Sequence, residues 1–285
     1  MRFQNSIIEL IEKRKSVRSY DPEHLIEDNK KHALVSCMSE LSQEHFRFVM
    51  VETKAASDKG HKLGTYGMIK GANSFIVGLP KANLPENSTN CMDFGYALEH
   101  IILKATDLGL STCWMVGTYN TEQFMKFAMA QADEQIGIVS PLGYGVEKQR
   151  AMEKVVRWMA KSSTRKSWED LFFINDMQHP LTKDQAELYA IPLEMVRIAP
   201  SAVNYQPWRI IKHQDRYDFY MTLIDYKYTG KGFDSRSNDM GIAMCHFQLA
   251  AQELGLSGYW HVLDAPPTPS PEDAIYLSSW FATSS

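Results

Sequence analysis

Cysteine is scarce in this chain: Cys37, Cys91, Cys113 and Cys245 are its only four among 285 residues, with no close pair and no C-x-x-C. A disulfide framework is therefore not expected, and reduced thiols of a cytoplasmic protein fit better. Long apolar runs are missing too, so no bilayer span is expected, and the start leads into Ser6-Ile7-Ile8-Glu9 without an apolar signal region. Neither sign of charge dominates, with 30 Lys and Arg against 34 Asp and Glu and a net charge of -4. Neither nucleic acid nor an anionic membrane is thus an expected partner. G-x-S-x-G, Walker-type and G-x-G-x-x-G sequences are all lacking. The nine His are scattered, and adjacent Cys245 and His246 would point to different faces of a helix, so no metal site is expected. What remains is a chain with 44% hydrophobic residues, enough to bury a sizeable core.

The strongest internal signal is a repeat. Asp93 to Trp114 and Asp239 to Trp260 agree at roughly half their positions without a gap, including Gly95/Gly241, His100/His246, the two Leu-Gly-Leu-Ser runs and Trp114/Trp260. Apolar residues recur at helical spacing in both copies, so each predicts a buried helix ended by its Gly. Two like helices with wide apolar faces suit a pseudo-two-fold contact, as between subunits fused into one chain. His100 and His246 then read as core or interface residues.

Strands are predicted over Phe46–Val51, Ser74–Leu79, Ile136–Ser140, Trp208–His213, Tyr217–Leu223 and Leu277–Thr283, and a short helix over Pro192–Ile198. Capping boxes are expected at Ser6–Glu9 and Thr182–Gln185, and a surface loop at Lys81–Asn90. Interspersed helices and strands give an α+β class. The charged, helix-compatible stretch Glu153–Ser167 contains no Gly/Pro linker, so residues 1–285 read as one composite domain, with half one at 1–155 and half two at 156–285.

Two motifs carry the chemistry. Ala199 to Arg209 combines small residues, amides and an aromatic between two prolines, so Pro200, Ser201, Ala202, Asn204 and Gln206 can form a cradle for a planar polar ring. A polar turn between helix and strand is the other reading. Arg14-Lys15-Ser16-Val17-Arg18 gathers three cations and a hydroxyl, which suits a phosphate clamp or a solvated helix C-terminus.

The loop resembles the A-P-S-(A/S)-x-N-x-Q-P-W motif of the FMN-dependent nitroreductases, and Arg14 to Tyr20 resembles that family's R-R-S-x-R-x-(F/Y) opening. The resemblance covers nearly the whole chain and is most similar to the internally duplicated, single-chain branch labelled "putative TM nitroreductase". It implies a nitroreductase-like fold whose two pseudo-symmetric halves mimic the family homodimer, so that a monomer suffices. It also implies FMN held by Arg14, Lys15, Ser16 and Arg18 at the phosphate and by the 200–206 loop at the ring edge. By the same resemblance Trp114, Met115, Val116 and Gly117 lie against the ring, although a buried strand explains those residues equally well. Half one carries Ser39–His45 where its own loop should be, and half two carries Glu169 where the last clamp Arg should be, so one site is expected per chain. Arg165 either returns to the phosphate or belongs to a surface charge pair. The implied activity moves reducing equivalents from NADH or NADPH to a small electron-poor acceptor such as a nitroaromatic or quinone. In it the flavin carries the chemistry and no catalytic side chain is assigned. The alternatives are a flavin-binding or flavin-processing protein without that turnover, and a protein with no cofactor.

Overall fold

The chain follows one path twice. A computed structural model describes residues 2–53, 65–82, 88–146, 164–214, 216–223, 233–267 and 273–283. The first pass comprises α1 (Ile7–Lys13), α2 (Asp28–Leu41), β1 (Phe46–Glu52), β2 (Ser74–Pro80), α3 (Ser88–Asp107), β3 (Ser111–Thr112), α4 (Thr121–Phe127) and β4 (Ile138–Gly143). The second comprises β5 (Phe172–Ile174), β6 (Asp176–Pro180), α5 (Lys183–Ala186), α6 (Ala190–Arg197), β7 (Trp208–Lys212), β8 (Arg216–Thr222), α7 (Ser235–Glu253), β9 (Gly258–His261) and β10 (Ala274–Ala282). Strand order is β1-β2-β4-β3 in the first sheet, and the second repeats it as β7-β8-β10-β9 with the β5–β6 hairpin added beside β7. β5 joins β7 in parallel while β7, β8, β10 and β9 pair antiparallel.

The long helices α3 and α7 are the repeated segments, and they cross at their matching glycines. A Cβ on Gly95 would lie 2.1 Å from the Asn238 carbonyl oxygen, and one on Gly241 would lie 2.0 Å from that of Met92. Asn238 and Met92 are themselves counterparts in the repeat, so the contact is reciprocal, as a two-fold contact requires. Only residues without a side chain let two helix backbones meet this closely. Nearby, α1, α3, α6 and α7 share one apolar cluster containing Ile11, Leu103, Met195 and Leu249, so the two halves bury surface against each other.

Several local expectations change. The predicted loop Lys81–Asn90 gives way to helix from Ser88, five residues before the repeat begins. The strand predicted over Ile136–Ser140 runs instead from Ile138 through Gly143. Pro141 is tolerated there because β3 reaches only Leu142 and Gly143, leaving no ladder partner waiting for the missing N–H. At α1, Ser6 Oγ accepts from the Glu9 N–H, but the reciprocal arm of the expected box comes from Glu253 of α7, which accepts from Ser6 Oγ and the Ile7 N–H. The box at Thr182–Gln185 is complete. The four cysteines are free. No helix among the described residues is long and apolar enough to cross a membrane, and no His, Cys, Asp and Glu group there could hold a metal ion. Most of the junction Glu153–Ser167 lies outside the described residues.

Candidate functional site

The 199–209 segment is folded by its own side chains. Val203 (φ 45°), Asn204 (φ 58°) and Gln206 (φ 53°) all adopt left-handed backbone, which for a β-branched residue such as Val203 costs about 1–3 kcal/mol. Ser201 Oγ accepts from the Gln206 N–H at 2.9 Å, closing the loop on itself. Asp239 Oδ2, at the crossing end of α7, accepts from the Ala202 N–H at 2.9 Å and ties the loop to the central helix. Gln206 is buried, donates from Nε2 to the Asn204 carbonyl at 3.1 Å and accepts from the Lys166 N–H at 2.8 Å. Asn204 accepts from Arg165 Nη1 at 2.9 Å and donates to the Thr164 carbonyl at 2.7 Å. Both amides therefore shape the loop with contacts made inside the protein. Pro200 is half-buried and Pro207 buried, each fixing φ at an end of the strained stretch.

Arg165 is not part of an exposed charge pair. Its Nη2 donates to the Ile198 carbonyl at 3.0 Å, and its guanidinium lies against the loop. Its pKa is pushed down to about 10, first by burial and then by the positive charges of Arg14 and Arg197. Burial, followed by Arg209, likewise lowers Lys166 to about 8. Cations from the first motif and from the far end of the loop thus converge where solvent is excluded.

Arg14 ends α1, and the chain beyond it runs extended: Ser16 bridges Thr112 and Ser19 bridges Lys70, both in parallel. Alternation along an extended chain sets Arg14, Ser16 and Arg18 on one side and exposed Lys15 with Val17 on the other. The Arg14 side chain is only 7% exposed, and its Nε and Nη1 have no hydrogen-bond partner among the described residues. The nearest carboxylate oxygen, Glu99 Oε1, is 3.7 Å from Nε, a charge contact beyond hydrogen-bond length. Buried guanidinium donors without acceptors are costly, and the positive charge of Arg165 beside Arg14 adds to that cost, whereas Arg197 is paired with Glu194.

Glu99 is the residue that motif reasoning missed. It lies fully buried on α3, accepts from Trp114 Nε1 at 2.9 Å, and its Oε1 lies 2.9 Å from His246 Nε2. His246 Nδ1 reaches the Met195 carbonyl at 2.9 Å, so one carboxylate links both central helices, the clamp and the 114–117 wall. The available signal was a charged residue on the apolar stripe of Leu98, Ile101 and Ile102, a placement that demands partners.

The wall residues divide. Trp114 is half-buried and fixed by Glu99, Val116 is half-buried, and Gly117 is exposed at φ 67° with nothing within 4 Å of where a Cβ would be. Met115 points the other way, packing with Val51, Phe75, Tyr119 and Phe124, so only its backbone can face a ligand. Lys70 exchanges backbone bonds with Arg18 and Tyr20.

A buried cluster of cations beside a strained polar loop suits an anionic group at one end and a planar polar ring at the other. The residues present fit FMN: Arg14 offers a phosphate guanidinium donors that have no partner among the described residues. The profile of the family described as "Putative TM nitroreductase" matches residues 6–251. A "putative nitroreductase" from Thermotoga maritima MSB8 superposes with a TM-score of 0.59 at 19% identity, covering 99% of this chain and 95% of that one. A nitroreductase with bound FMN from Bacteroides fragilis NCTC 9343 matches at 20% identity and a TM-score of 0.40, covering 52% of this chain and 92% of its own. No curated protein matches the chain.

Proposed function

Because the chain belongs to the nitroreductase family described as "Putative TM nitroreductase", we propose that it is an FMN-dependent oxidoreductase with one flavin site per polypeptide, built from the clamp of half one and the loop of half two. The observation that carries this reading is Arg14: a buried guanidinium with unmet donors, close enough to Arg165 to depress its pKa. Arg14, Ser16, Arg18 and Arg165 would hold the phosphate, with Lys15 adding charge from the opposite side. The backbone of Ser201 to Gln206, kept in its strained shape by Asp239, Arg165 and Lys166, would meet the ring edge. Trp114, Val116 and Gly117 would form the wall at the ring face, and the open space before Gly117 leaves room for close approach. The chemistry FMN supplies when bound is transfer of reducing equivalents from NADH or NADPH to an electron-poor small molecule such as a nitroaromatic or quinone. The protein's share is positional and electrostatic, and no side chain is needed as acid or base where solvent can supply protons.

Reconstitution tests it. The purified protein should take up one FMN per chain, turn yellow, and bleach anaerobically on addition of NADH or NADPH, with colour restored by an acceptor. A protein that takes up no FMN overturns the reading. A yellow protein that neither nicotinamide bleaches would instead be a flavin-binding protein without turnover.

A further inference from the structure

Where half two repeats the wall of half one, a cleft of about 400 Å³ opens between the central helices, lined by Met92, Asp93 and Tyr96 of α3, Met244 and Gln248 of α7, and the stretch from Trp260 to Val262. Trp260 is the counterpart of Trp114 and Asp93 that of Asp239, so this is the pseudo-symmetric position of the proposed flavin site. Its polar groups are differently disposed. Gln248 Oε1 accepts from Tyr96 Oη at 3.0 Å and from Trp260 Nε1 at 2.8 Å. Since an indole nitrogen can only donate, the orientation of this amide is fixed, and its NH2 has no partner among the described residues. Asp93 has lost the loop that Asp239 holds, and its carboxylate makes no hydrogen bond to described residues. Burial raises its pKa. Trp260 is braced edge-on by Phe219 at 4.9 Å and Trp280 at 5.3 Å, which keeps its ring in place. Among the described residues no Arg or Lys lines the cleft, and His261 is its one imidazole.

We propose that this cleft is a second binding site, for a neutral, planar heteroaromatic ring carrying a lactam or imide edge. The ring carbonyl would accept from the Gln248 amide, the ring N–H would donate to Asp93, and Trp260, Met92 and Met244 would supply apolar contact. A phosphate is disfavoured by the Asp93 carboxylate, against which the cleft offers no Arg or Lys. The inference goes beyond the proposed activity, because it does not require the first site to turn over.

Calorimetric titration of the FMN-loaded full-length protein with lumichrome, a neutral alloxazine with an imide edge and no phosphate, tests it. One equivalent should bind without displacing FMN. Val262→Trp, at a residue 57% exposed on the rim, should abolish that binding by filling the cleft. Gln248→Glu keeps an acceptor for Tyr96 and Trp260 but removes the free donor, and should weaken binding about tenfold. Both variants should retain wild-type FMN content. The proposal is overturned if lumichrome does not bind, if it displaces FMN, if both variants bind it as the wild type does, or if excess FMN fills the cleft as a second equivalent. Should the protein take up no FMN, the proposed function fails, while the same titration of the flavin-free protein and its two variants still decides the cleft.

Discussion

The two ends of the central helix pair are built from matching residues and do opposite things with them. At one end Asp239 grips a loop that runs from Ile198 to Pro207 before β7; at the other Asp93 faces a link of only Ser42 to His45 between α2 and β1. Four residues cannot form the strained cradle that ten can, so loss of chain length alone explains why only one end carries it. The histidines diverge in the same way. His246 has both ring nitrogens engaged, whereas those of His100 are buried without partners among the described residues, and its ring stacks on Phe3 at 5.1 Å. Equivalent positions in a repeat thus share packing and differ in polar partners, since packing holds the halves together and polar groups follow what each end binds.

Six substitutions probe that contrast. Arg14→Glu puts a carboxylate into the cationic end and should weaken FMN binding about a thousandfold, as loss of a buried charge partner does; flavin retention equal to wild type in a desalting assay would remove Arg14 from the site. Gly95→Ala and Gly241→Ala should each cost about 3 kcal/mol in urea denaturation, because backbone and not a flexible side chain blocks the new Cβ. A marked inequality between the two would break the pseudo-two-fold description of the crossing.

His100 supplies a pH test. Burial, reinforced by nearby positive charge, holds its pKa at about 4 against 6.5 for a free imidazole. Between those values the unfolded chain binds the proton more readily, so stability is full above pH 6.5 and falls as pH drops towards 4. His100→Phe, which preserves the stacking on Phe3, should remove on the order of 2 kcal/mol from the stability change across that window. An unchanged acid profile would mean that His100 is hydrated in solution. The smallest effect concerns the two aspartates: Asp239→Ala should lower FMN affinity about tenfold by releasing the Ala202 N–H, and Asp93→Ala should leave it unaltered. Equal losses from both would show that FMN binding does not distinguish the two ends.

Much of this was legible in the sequence because it was written locally. The helix pair was visible as a repeat with 3.6-residue periodicity, and the loop and clamp as short motifs. What the sequence concealed depended on distant partners. Glu99 looks out of place until Trp114, His246 and Arg14 surround it. Met115 could not be aimed from an extended apolar run, since alternation alone does not say which side faces the core. The β5–β6 hairpin is short and carries Asn175, Asp176 and Gln178, so its strand character comes from pairing with β7 more than from composition. Strand β9 is four residues long and held by β10 in the same manner.

The crossing of Gly95 and Gly241 has one more consequence. Two subunits joined by such a contact would separate on dilution, and any site spanning them would empty at a rate set by protein concentration. Here both helices belong to one polypeptide, so the clamp and loop meet at an effective concentration fixed by the chain. The occupancy of a site between them should follow the concentration of its ligand and be independent of the concentration of the protein.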